Sequence, residues 1–395
     1  MVNELRIEKW VFGGDGLARS TEGVVLVPFS LPGELVQVEP ADARHHVKRG
    51  KISSVLEPSP ERIDPACPHF IRCGGCSYQH SSYAYEVAQK VEVLREVMER
   101  VGKFDAPEEI PVITGPDWGY RNRIQLHFEG EKMGFHEGNS HEVVNVEQCP
   151  ISSPKLNEAM AVLRGHLKER RWPYFLRSLE LFTNEEVVQV NVLDAGDKRL
   201  AKSFFEWIDL DLPGATEPSL EYGEFRVSHR SFFQTNRFLI DQLVETALDG
   251  AEGATAWDLY AGVGLFSLAL ARRDFEVTAV EASISAISDL GHNMERAGFH
   301  FPAYKASAEL WMEEQTEVPD FVLADPPRSG LGKNGARALA RLKPRQLNIV
   351  SCDPSTLARD LATLRSVGYE IEGMTMIDMF PHTSHIETVT KLRIG

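Results

Sequence analysis

Long apolar segments are absent from this sequence. Its most apolar runs, such as residues 265–271, are far shorter than the roughly 18 residues that a membrane-spanning helix needs. The opening residues, MVNELRIEKW, carry charges where a signal peptide has an apolar stretch. The sequence therefore predicts a soluble, cytoplasmic protein that makes no contact with membranes, and we expect it to be a monomer.

Cysteine is also scarce, with five residues in a chain of 395. Cys67, Cys73 and Cys76 are grouped, whereas Cys149 and Cys352 stand alone. An odd number of cysteines with clustered spacing, without a predicted signal peptide, indicates metal binding or catalysis rather than disulfides. The group and Cys149 offer four soft ligands, enough to close a tetrahedral site. Spacing alone favours zinc there, and an iron–sulfur cluster is the alternative.

Basic residues are outnumbered by acidic ones, 42 to 58, which leaves a formal net charge of −16. This balance argues against a protein that binds polyanions over its whole surface. Two basic stretches without acids are candidates for local contacts with nucleic acid, the alternative being ordinary solvated surface. They are residues 43–54, with Arg44, His45, His46, Lys48, Arg49 and Lys51, and residues 328–345, with Arg328, Lys333, Arg337, Arg341, Lys343 and Arg345.

The order of predicted elements divides the chain into three domains. Residues 1–58 contain short β-prone runs separated by glycine and proline turns, which predicts a small β-barrel. Residues 59–222 combine a helix that begins near Tyr83 with alternating strands, which predicts an α+β middle domain. Residues 223–395 alternate strand and helix, which predicts a doubly wound α/β sheet whose last two strands pair antiparallel.

A glycine turn in the third domain is typical of a nucleoside site. The segment DLYAGVG, from Asp258 to Gly264, follows a predicted strand and opens a helix, so the backbone can approach a ligand there. Gly262 and Gly264 are too few for the dinucleotide-binding G-x-G-x-x-G pattern. Glu281 ends the next strand, where an acid accepts hydrogen bonds from ribose hydroxyls. The pattern favours S-adenosylmethionine, and the alternative is a turn that only packs strand against helix.

Two further motifs follow predicted strands, DPPRSG at 325–330 and SCDP at 351–354. Ligands of doubly wound sheets lie at the carboxyl ends of the strands, so both motifs should face the same site. Cys352 is a candidate nucleophile there, although a free cysteine is more often a small buried apolar side chain. Asp353 caps a predicted helix, and a helix N-terminus lowers the pKa of a nearby thiol. Glu387 enters the last strand as a candidate general base or as part of a solvent face.

Together these motifs resemble those of the RNA uracil-C5 methyltransferases, and the resemblance extends over essentially the whole chain. The motifs that carry it are CGGC at 73–76, YRNR at 120–123, CP at 149–150, FQTN at 233–236, DLYAGVG at 258–264, DPPRSG at 325–330, SCDPSTLARDL at 351–361 and MFPHTSHIETV at 379–389. The implied fold of the third domain is the class I Rossmann-like methyltransferase fold.

The resemblance implies a role for each site residue. Cys352 would attack uracil carbon 6, Glu387 would remove the carbon-5 proton, and Asp325 would hold the base edge. Phe232 would stack on the target base. The residues that would bind or orient S-adenosylmethionine are Gln234, Asp258, Tyr260, Gly262, Gly264, Glu281 and Asp325. One residue departs from the family, which commonly has Asn where this chain has Asp353, and the added negative charge opposes thiolate formation.

The resemblance also implies an RNA-binding barrel of the TRAM type at residues 1–58 and a [4Fe–4S] cluster in place of zinc on Cys67, Cys73, Cys76 and Cys149. A chain with both features is most similar to the enzymes that act on 23S ribosomal RNA, with transfer RNA as the alternative substrate. A chaperone with a vestigial methyltransferase fold would not need both Cys352 and Glu387. A methyltransferase of small molecules would not need the barrel, and the acidic net charge opposes long duplex DNA.

Overall fold

The structure, a computed structural model, describes residues 3–21, 23–44, 47–138 and 140–395. His45 and His46, part of the first basic stretch, lie outside the described residues. The longest helix of the described part, α1 (Tyr83–Val97), has 15 residues. No described helix combines the length and the apolar character that crossing a bilayer requires.

The N-terminal strands form a closed barrel, as the turn-rich β pattern predicts. Alternate apolar side chains point inward, including Leu5 and Ile7 on the first strand and Val36 and Val38 on the fourth, and each is at most 4% exposed. The strands are β1 (Asn3–Trp10), β2 (Asp15–Ser20), β3 (Gly23–Pro28), β4 (Leu35–Arg44) and β5 (Val47–Glu57), hydrogen-bonded in the order β1-β2-β3-β5-β4.

A second, antiparallel sheet forms the middle of the molecule. One face of this sheet packs on two helices, α2 (Pro154–His166) and α3 (Lys202–Asp209), around fully buried side chains such as Leu126, Leu163 and Leu181. The strand order is β11-β10-β7-β8-β9, with β7 (Arg123–Glu129), β8 (Lys132–His136), β9 (Val143–Asn145), β10 (Ser178–Thr183) and β11 (Val188–Asp194). A separate hairpin follows, β12 (Ser219–Tyr222) and β13 (Phe225–Ser228).

The C-terminal part contains an eight-stranded sheet with helices between its strands. Its strands are β14 (Thr255–Leu259), β15 (Glu276–Glu281), β16 (Ala303–Lys305), β17 (Phe321–Ala324), β18 (Gln346–Ser351), β19 (Glu370–Ile377) and β20 (Glu387–Arg393), joined by β6 (Val112–Ile113). Its helices are α4 (Ile240–Leu248), α5 (Leu265–Ala271), α6 (Ile284–Arg296), α7 (Ala308–Glu313), α8 (Gly332–Leu342) and α9 (Pro354–Arg365). The order β16-β15-β14-β17-β18-β20-β19-β6, with β20 antiparallel to both neighbours, confirms the predicted doubly wound fold.

The packing differs from the predicted domain limits in three places. Strand β6 lies within the predicted 59–222 range but pairs in parallel with β19 at the edge of the large sheet. Helix α1, from the same range, shares a hydrophobic core with that sheet and with α9. The predicted limit at residue 222 also falls inside the β12–β13 hairpin. These segments are distant in sequence from the sheet they complete, so local patterns could not assign them to it.

The central strands of the large sheet determine where the predicted site residues lie. All residues of β17 and β18 are buried, as expected for parallel strands that helices cover on both faces. Strands β14, β15, β17 and β18 are parallel, so their carboxyl ends meet at one edge. The antiparallel β20 begins at that same edge, which brings its first residue to the site.

Candidate active site

A cavity of about 690 Å³ lies at the carboxyl edge of the large sheet. Its lining combines the glycine turn after β14, the ends of β15, β17 and β18, and the beginning of β20. The predicted site residues that line it are Phe232, Gln234, Tyr260, Gly262, Glu281, Asp325, Cys352 and Glu387. Gly262, Glu281, Asp325 and Cys352 meet there because the parallel strands before them end at the same edge.

One part of this cavity has the features of a nucleoside site. The Glu281 carboxylate accepts hydrogen bonds from the amides of Gly262 at 2.9 Å and Ser283 at 2.6 Å, which fix its orientation. Gly262 has a φ of +56°, a conformation that glycine adopts without strain. Tyr260 also has a positive φ, +65°, and its hydroxyl donates to Glu309 at 2.7 Å. A strained residue held this firmly beside a cavity is typical of a ligand site.

Two residues of the same turn do not line the cavity. The Asp258 carboxylate is fully buried and accepts a hydrogen bond from the Ser267 hydroxyl, so it braces the start of α5. Burial raises the pKa of Asp258 to about 7 against the effect of that hydrogen bond. Gly264 has a φ of +95°, and a Cβ there would lie 3.3 Å from Leu290, so glycine allows the turn to pack on α6. Both residues stabilise the turn from the side that faces away from the cavity.

The other part of the cavity contains Cys352, the first residue after β18. Burial raises the pKa of its thiol to about 12, and the nearby carboxyls of Glu387 and Asp325 act in the same direction. The guanidinium of Arg328 opposes this shift. Burial and the nearby carboxyls therefore outweigh the lowering of this pKa that the helix N-terminus was expected to cause. The amides of Ser355 and Thr356 donate to Asp353 rather than facing the sulfur.

Glu387 lies beside Cys352 because of strand pairing. Ser351 pairs with Thr388 across the antiparallel β18–β20 ladder, so Cys352 and Glu387 take the next position on each strand. Glu387 is 6% exposed, which excludes the alternative that it lies on a solvent face. Burial and the Asp325 carboxyl raise its pKa well above the usual value. Burial and the Asp258 charge also raise the pKa of Asp325, to about 7.

Phe232 and Gln234 approach the cavity from the segment after β13. Phe232 is 61% exposed at the cavity, whereas its neighbour Phe233 is buried in the core. A large exposed aromatic ring beside a cavity is a surface on which a base can stack. Gln234 donates from Nε2 to Asp325 Oδ2 at 3.4 Å, so these two side chains can hold one ligand together.

The cavity also contains residues to which the sequence assigned no role. Arg328 Nη2 lies 3.2 Å from His385 Nε2, and burial together with the Arg328 charge lowers the pKa of His385 to about 4. His385 is therefore a neutral acceptor for Arg328. Arg121 and Phe380 line the cavity as well. The position of Arg328 in DPPRSG, after a strand end, was the available signal for its role; Arg121 lies in the YRNR motif at 120–123, but nothing in that motif indicated that it reaches this cavity.

A buried charge network holds the segment before β20. Lys90 of α1 is 2.8 Å from both Glu86 and Asp378 and donates to the Phe380 carbonyl at 3.1 Å. Although burial lowers the pKa of Lys90, these two carboxylates raise it above its usual value. The His382 amide donates to Glu86 at 2.7 Å. Helix α1 thereby fixes the loop that delivers Phe380 and the start of β20 to the cavity.

A second, mostly enclosed cavity of about 200 Å³ is lined by Cys67, Cys73, Cys76 and Cys149. Burial, together with the neighbouring cysteines, raises the pKa of Cys73 to about 11 and that of Cys76 to about 12. Within the described residues no group of three or more Cys, His, Asp or Glu converges as ligands of a single metal ion. The four cysteines instead line a common space, and Arg121, which is partly buried, lines both this cavity and the active-site cavity.

Comparisons with known proteins agree with this site. The family model described as tRNA (Uracil-5-)-methyltransferase matches residues 312–393. The chain is 30% identical to an "Uncharacterized RNA methyltransferase" of Aquifex aeolicus, over 99% of this chain and 98% of that protein. It is 33% identical to the "23S rRNA (uracil(1939)-C(5))-methyltransferase RlmD" of Cronobacter sakazakii, over 95% of this chain and 92% of that protein.

A solved structure also matches over nearly the whole length. The tRNA (uracil-54, C5)-methyltransferase of Pyrococcus abyssi, in complex with S-adenosyl-L-homocysteine, has a TM-score of 0.76 and 26% sequence identity. The match covers 98% of this chain and 99% of that chain. The fold, the cavity and these relatives together establish that the chain belongs to the family of S-adenosylmethionine-dependent RNA uracil-C5 methyltransferases.

Proposed function

We propose that this enzyme methylates carbon 5 of a uridine in 23S ribosomal RNA, with Cys352 as the covalent nucleophile and Glu387 as the general base. The observation that carries the proposal is the position of these two residues at facing strand ends, inside the cavity that also contains Gly262 and Glu281. A nucleophile, a base and a nucleoside-binding turn in one cavity match what the reaction requires.

The chemistry explains why both residues are needed. Carbon 6 is the electron-poor position of uracil, and carbon 5 by itself is too weak a nucleophile to attack the methyl group of a sulfonium. The Cys352 thiolate forms a bond to carbon 6, and the electron pair of the 5,6 double bond makes carbon 5 an enolate nucleophile. S-adenosylmethionine would supply the methyl group that carbon 5 takes up, and S-adenosylhomocysteine would leave with the electron pair of the broken sulfur–carbon bond. Glu387 then removes the carbon-5 proton, the electron pair restores the double bond, and the bond from Cys352 to carbon 6 breaks.

The neighbouring side chains have supporting roles in this proposal. The positive charge of Arg328 favours ionisation of the thiol and of the base, since it lowers the pKa of both Cys352 and Glu387 against the effect of burial. Gln234 and Asp325, hydrogen-bonded to each other, are placed to hold the polar edge of the base and the cofactor. Phe232 stacks on the base, and Glu281 accepts hydrogen bonds from the cofactor ribose. Asp258 and Gly264 do not contact the cofactor in this proposal; they stabilise the turn that does.

The choice of 23S ribosomal RNA is supported by the sequence relatives. The RlmD relatives of Cronobacter sakazakii and Halomonas elongata match this chain at 33% and 32% identity over at least 95% of its length. Transfer RNA is the second candidate substrate, because the structure of the tRNA (uracil-54, C5)-methyltransferase of Pyrococcus abyssi matches 98% of this chain.

We also propose that the four cysteines around the smaller cavity hold a [4Fe–4S] cluster rather than zinc. A single zinc ion needs four ligands converging at about 2.3 Å, whereas these cysteines line a common space of about 200 Å³. Thiolates are the usual ligands of such clusters, and the Arg121 guanidinium would balance part of their charge. The methyl transfer requires no electron, so these residues act structurally or position RNA. The closed barrel, in this proposal a TRAM-type module, supplies further RNA contacts.

The decisive experiment maps the methyl group. The enzyme is incubated with methyl-labelled S-adenosylmethionine and total RNA from a strain that lacks its uracil-C5 methyltransferases, and the labelled RNA is separated and sequenced. Label at carbon 5 of one uridine in 23S RNA supports the proposal. Label in transfer RNA assigns the alternative substrate, and binding of RNA without any transfer favours a chaperone. Visible absorption and iron content of anaerobically purified protein test the cluster, and a colourless protein with one zinc per chain contradicts it.

A further inference from the structure

We propose that a cleft between α8 and α9, which we call the basic cleft, binds the phosphodiester backbone of the RNA strand whose uridine enters the active-site cavity. The basic cleft is an open groove of about 810 Å³. Its polar lining is Lys333 and Arg337 from α8 and Ser355, Thr356, Arg359, Thr363 and Ser366 from α9. The inference rests on the proposed function, because it concerns the RNA that the enzyme modifies.

Helical spacing creates this lining. Lys333 and Arg337 are four residues apart on α8, so their side chains extend from the same face. Ser355, Arg359 and Thr363 repeat at the same interval along α9. The two faces oppose each other across the groove, with cations on both sides and hydroxyls between them. This combination of donors suits phosphate oxygens, which accept hydrogen bonds and carry negative charge.

The two cations on α8 have no competing partner within the protein. Lys333 and Arg337 are exposed, and neither forms an ion pair with any residue that the structure describes. Arg341, one turn further along α8, donates to the Met312 carbonyl at 2.6 Å instead. An unpaired cation loses no existing ion pair when it binds an anion, so Lys333 and Arg337 are suited to an external phosphate.

No carboxylate lines the basic cleft. Of the two acids nearest in sequence to its α9 residues, Asp353 caps the helix. Asp360 is buried, accepts from the Leu331 amide at 2.7 Å and pairs with Arg359 at 3.5 Å, so Lys333 and Arg337 are the cations of the cleft that have no acidic partner among the described residues. In a chain with a net charge of −16, an acid-free groove between two helices is an unusual local surface. Local charge of this kind attracts polyanions even when the whole protein repels them.

The basic cleft adjoins the segment that carries Arg328 into the active-site cavity. The Thr356 hydroxyl donates to the carbonyl of Arg328 at 3.2 Å, and Arg359 donates to the carbonyl of Ser329 at 3.0 Å. Arg328 itself lines the active-site cavity. Ser355 follows Cys352 by three residues, which limits their Cα separation to about 11 Å. The groove is therefore close enough to Cys352 to hold the backbone of a strand whose base enters the active-site cavity.

The occupant is single-stranded RNA rather than an acidic protein. Chemistry at carbon 5 needs a base that is unstacked or flipped out, so the nucleotides beside it are accessible as a single strand. Contacts to the phosphates position such a strand without reading its sequence. The strand must be held in register while its base enters the active-site cavity. The basic cleft lies close to that cavity, where it can hold the strand.

The test uses the full-length enzyme and a Lys333→Gln/Arg337→Gln double variant. With total RNA as substrate, we expect the RNA concentration for half-maximal rate to rise by about tenfold, with kcat changed by less than about twofold. With a fluorescent single-stranded 20-nucleotide oligouridylate, log Kobs against log salt should become less steep by about 0.7 for each lost phosphate contact, or about 1.4 in all. Binding of S-adenosylmethionine should stay unchanged.

The matched control is Lys168→Gln/Arg170→Gln, which removes the same charges from an exposed segment just after α2. It should leave both the half-saturating RNA concentration and the salt slope as in the original protein. The inference is overturned if the two double variants behave alike, or if the basic-cleft variant keeps the full salt slope. It is also overturned if polyglutamate competes as well as oligouridylate. Failure of the proposed function is separate, because it would leave the original protein without methyl transfer to any RNA.

Discussion

Cys352 and Glu387 occupy adjacent positions just beyond the last antiparallel pair of β18 and β20, Ser351 and Thr388. The pairing, rather than closeness in sequence, places a thiol beside a carboxyl at the edge of the sheet. Glu387 is buried and Cys352 is partly buried, and burial together with neighbouring carboxyls raises the pKa of both groups, so ionising either one is costly in the free protein. The predictions below follow from this arrangement and from its neighbours.

Replacing Cys352 should stop the reaction without emptying the cofactor site. The variant Cys352→Ala should lower methyl transfer to RNA by at least about 10⁴-fold, because carbon 5 is then not activated. Its affinity for S-adenosylmethionine, measured by calorimetry, should change by less than about threefold, since Glu281 and the glycine turn are intact. Transfer that persists in this variant would show that no covalent bond to Cys352 is required.

Replacing Glu387 should trap the intermediate instead. In Glu387→Gln the thiolate can still attack and the methyl group can still be taken up, but the carbon-5 proton remains. We expect a covalent protein–RNA adduct that survives denaturation and migrates as a shifted band on a gel. The double variant Cys352→Ala/Glu387→Gln is the control and should give no such band. A single variant that releases methylated RNA at the normal rate would remove Glu387 from the base role.

Methyl transfer should become faster as pH rises through neutrality. Burial raises the pKa of Asp325 to about 7 and that of Glu387 well above its usual value. Burial among carboxyls also raises the pKa of Cys352 to about 12, so the thiolate is a minor form throughout the neutral range. We therefore expect kcat/KM for RNA to rise from pH 6 to pH 8 when measured with saturating cofactor. A profile that is flat or that falls between pH 6 and 8 would contradict these protonation states.

The stability of the free protein should fall as pH rises from about 4 to about 7. The pKa of Asp258 is about 7 in the folded protein, against 3.8 for the free side chain, because of burial. The folded state therefore binds this proton more tightly than the unfolded state, and its stabilising effect is present below pH 4 and lost as pH rises through 7. In Asp258→Asn, the thermal unfolding midpoint should depend less on pH over this range. An unchanged pH dependence would contradict the assignment.

Asp353 should be tolerated beside the nucleophile because it serves as a helix cap. Its carboxylate accepts from the amides of Ser355 at 2.9 Å and Thr356 at 3.0 Å. Asn can accept the same bonds, so Asp353→Asn should keep stability and should change the transfer rate by less than about threefold. Asp353→Ala should lower the free energy of unfolding by about 1 kcal/mol in urea titrations. A large gain in rate for the Asn variant would show that the charge opposes thiolate formation after all.

The sequence was informative wherever a function depends on local order. The strand–turn–helix pattern around Gly262, the strand ends before Asp325 and Cys352, and the alternation of strands and helices predicted the Rossmann-like sheet and its carboxyl edge. The closed N-terminal barrel was also predicted, from turns at short intervals. These features depend on periodicity and turn residues, which are properties of neighbouring residues in the chain.

The limits between the domains were harder to predict from the sequence. The limit at residue 222 falls within the β12–β13 hairpin, and β6 joins the large sheet from the middle of the predicted second domain. A two-residue strand such as Val112–Ile113 has no pattern of its own. It becomes a strand only because the free edge of β19 offers hydrogen bonds to it.

Only the tertiary structure decided the electrostatics of the site. From sequence, Cys352 at a helix N-terminus should have a lowered pKa, yet burial among the carboxyls of Glu387 and Asp325 raises it to about 12. The network of Lys90 with Asp378 and the position of Arg121 between two cavities were likewise not visible in sequence. The sequence by itself determined which reactive groups the chain carries and which strand ends present them. Their ionisation was decided by the fold, because the cost of a buried charge depends on which distant residues surround it.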